Sequence, residues 1–428
     1  MRIVVVGGGP TGLAAADAAA RAGADVVLVD SEPRLGGQYH RGTEQRVDPR
    51  VRHLPDSTVW AAEGLRLHVR TGPADSPHRT GRVLDADALV LATGAHDRVV
   101  PFPGWDLPGV YTAGAAQALA KGQGVAVGRR VVVSGTGPFL LPVADSLVRL
   151  GSEVTVLEAN GLTGWARHPR AVLANAGKLG ELAGYASLLR RVRTRSAVVA
   201  AHGEDRVTSV TVARLRPDWS VRAGTRIAVD AVCVGHGFTP RLELAVGLGC
   251  RLEDGFVRVD ATGATSVPGV YAAGEITGIG GADLAAAEGA VAGAAAARAP
   301  DPPTGALRAV RRGRQFAAAL AAAHPVPSGW HGWLTPDTLV CRCEEVTVRD
   351  LDVALDLGAA DGRTLKLVSR AGLGPCQGRM CGRAVADLAA ARLGHPLPDA
   401  DAFHRRPFAT PLRLGELADT PLHPEEEL

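Results

Sequence analysis

The chain opens with an apolar, β-branched run at residues 3–6, and Gly7-Gly8-Gly9-Pro10-Thr11-Gly12 follows at once. An alanine-rich stretch then runs from Leu13 to Gly23, and a second apolar run at 26–29 ends in Asp30. Strand, glycine turn, helix and strand make one βαβ unit, and no other feature restricts the possible folds as tightly. Each glycine answers a steric need. Gly7 allows the tight turn, Gly9 lets backbone approach a pyrophosphate, and Gly12 lets the helix pack close on the strand. The helix start at Pro10-Thr11 offers free N–H groups and the positive end of a dipole to phosphates. Asp30, followed by Ser31, stands where a carboxylate takes both hydroxyls of an adenosine ribose.

The unit recurs. A strand at 130–134 leads into Gly135-Thr136-Gly137-Pro138-Phe139-Leu140, an apolar helix to Leu150-Gly151, and a strand at 154–157 ending in Glu158. The interval from Gly135 to Glu158 equals that from Gly7 to Asp30, so two dinucleotide-type domains are expected in one chain. Leu140 occupies the place of Gly12, where a leucine pushes helix from strand and crowds a pyrophosphate. Gly135, Gly137 and Glu158 are thus candidate contacts to NAD, to another adenine nucleotide, or to nothing.

Between and after these units lie further close-approach points. Gly36-Gly37-Gln38-Tyr39 is a glycine pair, followed by a polar, Arg-rich stretch at 42–56. Residues 58–60, 66–69 and 88–91 read as strands of a small meander returning to the sheet, the last ending in Ala92-Thr93-Gly94. Residues 161–195 read as helical and carry Arg167, Arg170, Arg190, Arg191, Arg193 and Arg195, a solvated basic face or a docking face for an acidic partner. Strands follow at 206–215 and 228–234. Residues 268–275, ending in Gly274-Glu275, echo 108–114, and an alanine-rich helix begins after Gly280-Gly281-Ala282. Its N-terminus can stabilise negative charge on a reduced flavin ring.

Length and composition set outer limits. A chain of 428 residues is expected to form two or three domains. A net charge of +3 excludes the strong field expected of a nucleic-acid or membrane-surface protein. No apolar run nears the ~18 residues of a membrane helix, and no signal segment precedes the first strand, so a cytoplasmic protein is expected. Of the six cysteines, Cys341, Cys343, Cys376 and Cys381 cluster as C-x-C and C-x4-C, a metal-site pattern rather than a disulfide one in a reducing compartment.

Both cysteine pairs precede expected helices. One starts with the capping box of Thr347 and Asp350 and ends at Gly358, and the other spans about 383–393 with Gly394 behind it. Helix N-termini favour a negatively charged thiolate cluster. Four thiolates suit zinc or an iron–sulfur cluster; zinc knuckles space their ligands C-x2-C, and C-x-C fits one tetrahedral ion poorly. C-x-C with C-x4-C is similar to the [2Fe–2S] domain of bacterioferritin-associated ferredoxin.

Gly7–Gly12, Asp30, Gly36-Gly37-Gln38, Ala92-Thr93-Gly94 and residues 270–275 together resemble the two-dinucleotide-domain flavoproteins, thioredoxin reductase among them. The resemblance covers about residues 1–300 and implies FAD held by Gly7, Gly9, Pro10, Thr11, Gly12, Asp30, Ser31, Gly37, Gln38, Ala92, Thr93, Gly94, Gly274, Glu275, Gly281 and Ala282. Glu275 replaces the aspartate common in that family. No C-x-x-C or C-x4-C pair precedes residue 300, which argues against disulfide reduction.

With residues 340–347, Gly374-Pro375-Cys376-Gln377-Gly378-Arg379 and Cys381 added, nearly the whole chain resembles the flavoprotein subunits of heteromeric amine dehydrogenases. Opine oxidases, D-hydroxyproline dehydrogenase, dye-linked proline dehydrogenase and hydrogen cyanide synthase belong there. The chain departs from them in a short 42–56 segment and in His40 after Gly-Gly-Gln-Tyr. The resemblance implies an α/β fold of two Rossmann-like domains with a small C-terminal helical [2Fe–2S] domain of the bacterioferritin-associated ferredoxin type. Its parts would be an FAD domain at 1–105 and 230–300, an NAD-like domain at 106–229, a linker at 301–334, a [2Fe–2S] domain at 335–395 and a tail at 396–428. It also implies an electron-transfer subunit of a hetero-oligomer, with Cys341, Cys343, Cys376 and Cys381 holding [2Fe–2S]. The partners would be an amino-acid-oxidase-like flavoprotein that oxidises the amine and a small ferredoxin-like subunit, with FMN shared with a partner. Two rivals stand beside it: an NADH-dependent flavin reductase feeding a ferredoxin or quinone, with Glu158 favouring NADH over NADPH, and a non-enzymatic scaffold holding nucleotide and zinc.

Overall fold

A computed structural model describes residues 1–74, 76–167, 184–301, 303–398 and 402–418. The chain divides into two compact units. The first takes residues 1–95, 240–317 and the described part of 404–428; the second takes 96–239 and 318–403.

The first unit is built on a five-stranded parallel sheet in the order Val270–Ala272, Ala88–Leu91, Arg2–Val6, Asp25–Val29, Arg52–Leu54. Arg2–Val6 sits at the centre because its Ile-Val-Val-Val run can be buried on both faces, as a parallel sheet covered on both sides requires. The Pro10–Arg21 and Ala282–Ala296 helices cover one face. They come close because Gly289 and Gly293 lie against the backbone of Thr11 and Ala15, where a Cβ would stand 2.1 Å from either carbonyl oxygen. The other face packs on an antiparallel sheet of Ser57–Glu63, Arg66–Thr71 and Thr80–Asp85. Residues 88–91, the expected return of the meander to the sheet, form an inner strand of the parallel sheet, and Thr80–Asp85, which the sequence pattern does not reveal, is the third antiparallel strand.

The second unit repeats the plan. Its five parallel strands run Val110–Thr112, Ala231–Gly235, Arg130–Gly135, Glu153–Glu158, Val192–Thr194, with the glycine-loop strand central and the acid-ending strand beside it. An antiparallel sheet of Ser196–His202, Ser209–Leu215 and Val221–Ala228 packs on it. The sequence pattern reveals neither the first nor the last of these strands. Of the helix expected at 161–195, residues 168–183 with Arg170 lie outside the described residues. Leu162–Arg167 is a 3-10 helix, Ala186–Leu189 is one helical turn, and Val192–Thr194 is a strand, since its neighbour offers an open parallel edge.

The cysteine-bearing segment packs in this second unit. Trp105, Trp219, Trp330 and Trp333 share one buried core with Cys341 and Cys381, and Trp219 and Trp333 stack at 5.9 Å. Three helices follow: Val348–Asp356, Gly362–Ser369 and Gly382–Leu393. The first starts on the expected capping box, Thr347 accepting from the Asp350 N–H and Asp350 from the Thr347 N–H. The third ends at Gly394 in a left-handed conformation. The middle helix is not among those expected from the sequence.

Candidate cofactor sites

In the first unit, Gly7 turns the chain at φ 109°, a conformation glycine adopts without strain. A Cβ on Gly12 would stand 1.7 Å from the Gly7 carbonyl oxygen, so helix and strand meet only because that side chain is absent. Gly9 differs: a Cβ there would meet nothing within 4 Å, and the same holds at Gly94 and Gly281. Space therefore remains in front of the loop. Gly9 caps the Pro10–Arg21 helix and Gly281 the Ala282–Ala296 helix, neither end with a side-chain cap. Both present first-turn N–H groups that a ligand can satisfy.

Asp30 is buried, and its Oδ1 accepts from the Glu32 N–H at 3.1 Å. Its Oδ2 is buried with no hydrogen-bond partner. Burial raises the carboxyl pKa above the ordinary value, opposed by N–H groups of Glu32, Gly8 and Ser31. A buried oxygen without a donor is costly unless a ligand brings one, and vicinal ribose hydroxyls would do so.

The other expected contacts surround this loop. Ser31 and Gln38 are exposed, and Gln38 accepts from Arg41 at 3.2 Å. Gly37 backs onto Gly9, and Gly274 onto Thr11. Ala92 is buried, and the Thr93 hydroxyl donates to the Arg241 carbonyl at 2.8 Å. Glu275 turns back on its own loop, accepting from the N–H groups of Gly281 at 2.8 Å and Gly280 at 3.3 Å, while burial raises its pKa. Its extra methylene thus orders the turn ahead of the Ala282–Ala296 helix. Sequence reasoning missed Glu288, which accepts from the Gly274 N–H, the Thr277 hydroxyl and Arg314. The one available signal was an acid inside an otherwise apolar alanine run.

In the second unit the sulfurs of Cys341, Cys343, Cys376 and Cys381 come together. Cys341 lies beside Cys381 and Cys343 beside Cys376, each thiol shifting its neighbour's pKa, and Cys381 feels the charge of the other three. The Cys381 thiol beside it, with N–H groups of Gly372, Glu344 and Cys343, lowers the Cys341 pKa to about 6 against the opposing effect of burial. Cys381 is raised well above the ordinary value by Cys341 and by burial, and Cys343 is raised chiefly by burial. Backbone in the left-handed region surrounds them at Glu345, Arg370, Gly372, Gln377 and Gly378. Non-glycine residues held there mark loops bent to aim side chains at a site. Among the described residues, no three His, Cys, Asp or Glu side chains converge as ligands of a metal ion do; the sulfurs sit as two pairs.

Residues 96–106 grip the cysteine loops, which no motif announced. His96 Nε2 donates to the Arg379 carbonyl at 2.7 Å, between Cys376 and Cys381. Arg98 pairs with Asp387 at 2.9 Å on the helix that Cys381 caps. The Trp105 indole donates to the Leu339 carbonyl at 2.6 Å, and Arg342, between the first two cysteines, donates to the Asp106 carbonyl and lies over the Trp105 ring.

Residues 1–292 match the family described as pyridine nucleotide-disulphide oxidoreductase. The chain belongs to that family. Among its relatives, an opine oxidase subunit of Rhizobium meliloti is 32% identical, over 98% of this chain and 87% of that protein. The HcnB subunit of hydrogen cyanide synthase from Pseudomonas protegens is also 32% identical, over 88% and 89%. L-proline dehydrogenase from P. horikoshii superposes with a TM-score of 0.73 at 20% identity, over 97% of this chain and 79% of that one, and so shares the fold. This pyridine nucleotide-disulphide oxidoreductase is thus a mixed α/β protein with two Rossmann-like sheets, as its repeated glycine loops imply. Among the described residues no helix is long and apolar enough to cross a membrane.

Proposed function

We propose that the chain is the FAD- and [2Fe–2S]-carrying electron-transfer subunit of a heteromeric amine or imino-acid dehydrogenase. One observation carries this reading: the family's glycine loop, with its unpartnered Asp30 oxygen, shares a chain with four cysteine sulfurs gathered from C-x-C and C-x4-C. The relatives' names, subunits of an oxidase and of a synthase, support a hetero-oligomer. An amino-acid-oxidase-like flavoprotein subunit would be the partner, with cytoplasmic assembly fitting the free cysteines.

The donor sets fit both groups. Asp30 Oδ2 would accept from ribose hydroxyls, the N–H groups after Gly9 would hold the pyrophosphate, and the helix end at Gly281-Ala282 would oppose negative charge on the flavin ring. Cys341, Cys343, Cys376 and Cys381 would supply the four thiolates that a [2Fe–2S] cluster takes. When bound, FAD exchanges electrons singly or in pairs and the cluster exchanges them singly, which joins a two-electron oxidation to a one-electron carrier. Neighbouring N–H groups around Cys341 would stabilise the added negative charge.

The test is spectroscopic and biochemical. The chain co-expressed with an amino-acid-oxidase-like subunit should co-purify with it, carry flavin, iron and labile sulfide, and turn over a secondary amine with an artificial acceptor. Replacing the four cysteines with serine should remove the cluster absorption and abolish turnover while flavin remains. An unchanged spectrum and rate would refute the assignment.

A further inference from the structure

The second glycine loop carries the same parts as the first, yet its acid is in a different state. Asp30 is one methylene shorter than Glu158 and lies against Gly8. Glu158 reaches one residue further, and its Oε2 accepts from the N–H of Gly137 at 2.8 Å. Gly137 is the counterpart of Gly9, and at both positions a Cβ would meet nothing within 4 Å, so the loops differ in what the acid holds and not in backbone crowding. Glu158 Oε1 accepts from the Thr136 hydroxyl and the Asn160 N–H, each at 2.9 Å. Both carboxylate oxygens are therefore engaged, whereas Asp30 keeps one bare.

A ring covers what is left. His324, just after the Thr304–Ala323 helix, places Nδ1 3.5 Å from Glu158 Oε2 and 3.3 Å from Thr136 Oγ1. The Trp165 indole N–H donates to His324 Nε2 at 3.1 Å. An indole nitrogen only donates, so Nε2 accepts and the ring proton sits on Nδ1, facing the carboxylate and the threonine. Asn160 completes the closure. Its Nδ2 donates to Thr136 at 2.7 Å and to the Pro325 carbonyl at 2.9 Å, while its Oδ1 accepts from Trp219 at 3.1 Å. Gly164 packs on Ala323, where a Cβ would be 2.7 Å from the Ala323 Cα, and Leu140, first residue of the Leu140–Arg149 helix, is buried.

We propose that the second Rossmann-like loop is closed by its own chain, with Glu158 and His324 as the residues that deny it an adenine dinucleotide and so exclude NADH as electron donor. A ribose would have to displace His324 and break a carboxylate already holding four contacts, and a pyrophosphate would have to take the Gly137 N–H from Glu158. Either exchange leaves buried polar groups unpaired, which is the strongest form of rejection a site can build. The rival reading of the chain as an NADH-dependent flavin reductase is disfavoured on this ground, independently of the proposed amine dehydrogenase role.

The experiment is calorimetric titration of the full chain with NAD+, NADH and ATP, each alone. Wild-type protein should show no saturable heat with any of them, and NADH should not bleach its flavin. His324→Ala removes the covering ring, and Glu158→Asp withdraws the carboxylate from Gly137. At unchanged flavin content and thermal midpoint, each should bind an adenine nucleotide at least about tenfold more tightly than wild type. Saturable one-to-one binding by wild type would overturn the inference, whatever the variants do. So would folded variants that gain no affinity, because the loop would then be closed by something other than this clasp.

Discussion

At the scale of single residues, the two loops differ by side chains of a few atoms. Gly12 and Leu140 stand at equivalent positions, yet only the first permits the helix to approach the turn, since any Cβ there meets the Gly7 carbonyl oxygen. Gly12→Ala should therefore purify as a folded chain with flavin content reduced about tenfold or more, read from flavin absorbance per polypeptide. Glycine spacing and the acid at the second strand's end were legible from the sequence because both are local: a turn, a helix start and a strand end lie close together along the chain. Whether the acid was free to bind was not legible. Asp30 and Glu158 look alike in sequence, and only the placement of Thr136, Asn160 and His324 distinguishes them.

At the scale of elements, the cysteine loops are shaped from outside. The capping box at Thr347 and the terminal Gly394 could be read directly, because N-cap and C-cap residues act on the turn they belong to. The 96–106 segment could not, being far along the chain from the loops it grips. His96 donates to the carbonyl of Arg379 inside the C-x4-C loop, so it is a positioning residue for that loop. His96→Leu removes the ring donor to this carbonyl. Iron and sulfide per chain should fall, with the remaining cluster lost about tenfold faster to a chelator, while flavin content stays constant. His96→Gln, which can still donate, should restore much of the loading; equal loss in both variants would assign His96 to packing alone.

At the scale of the whole molecule, the chain returns to its first unit at the end. Ala409 donates to the Trp60 carbonyl at 2.7 Å, and Phe408 meets the Trp60 ring edge-on. Glu416 receives Arg79 through Nε at 2.6 Å and a terminal nitrogen at 2.7 Å, with both side chains buried. That guanidinium holds the Glu416 pKa down to about 2, from an ordinary 4.5. A depressed carboxyl pKa stabilises the fold fully above its unfolded value and loses that contribution as pH falls through the folded value. Glu416→Gln should cost about 3 kcal/mol at neutral pH, since it strands a buried arginine. In denaturant unfolding, the gap to wild type should hold above the ordinary 4.5 and close as pH approaches 2. A gap that stayed constant across that range would assign the loss to packing.

The sequence by itself determined the repeated βαβ units, the fold class they imply and the cysteine set, because strand burial, glycine sterics and thiolate spacing are short-range properties of the chain. Tertiary structure alone decided which acid has its oxygens engaged, which strand completes the antiparallel sheet, and what holds the cysteine loops in place. Those outcomes depend on residues far apart in sequence competing for the same hydrogen bonds and the same buried space, and no local pattern encodes the winner.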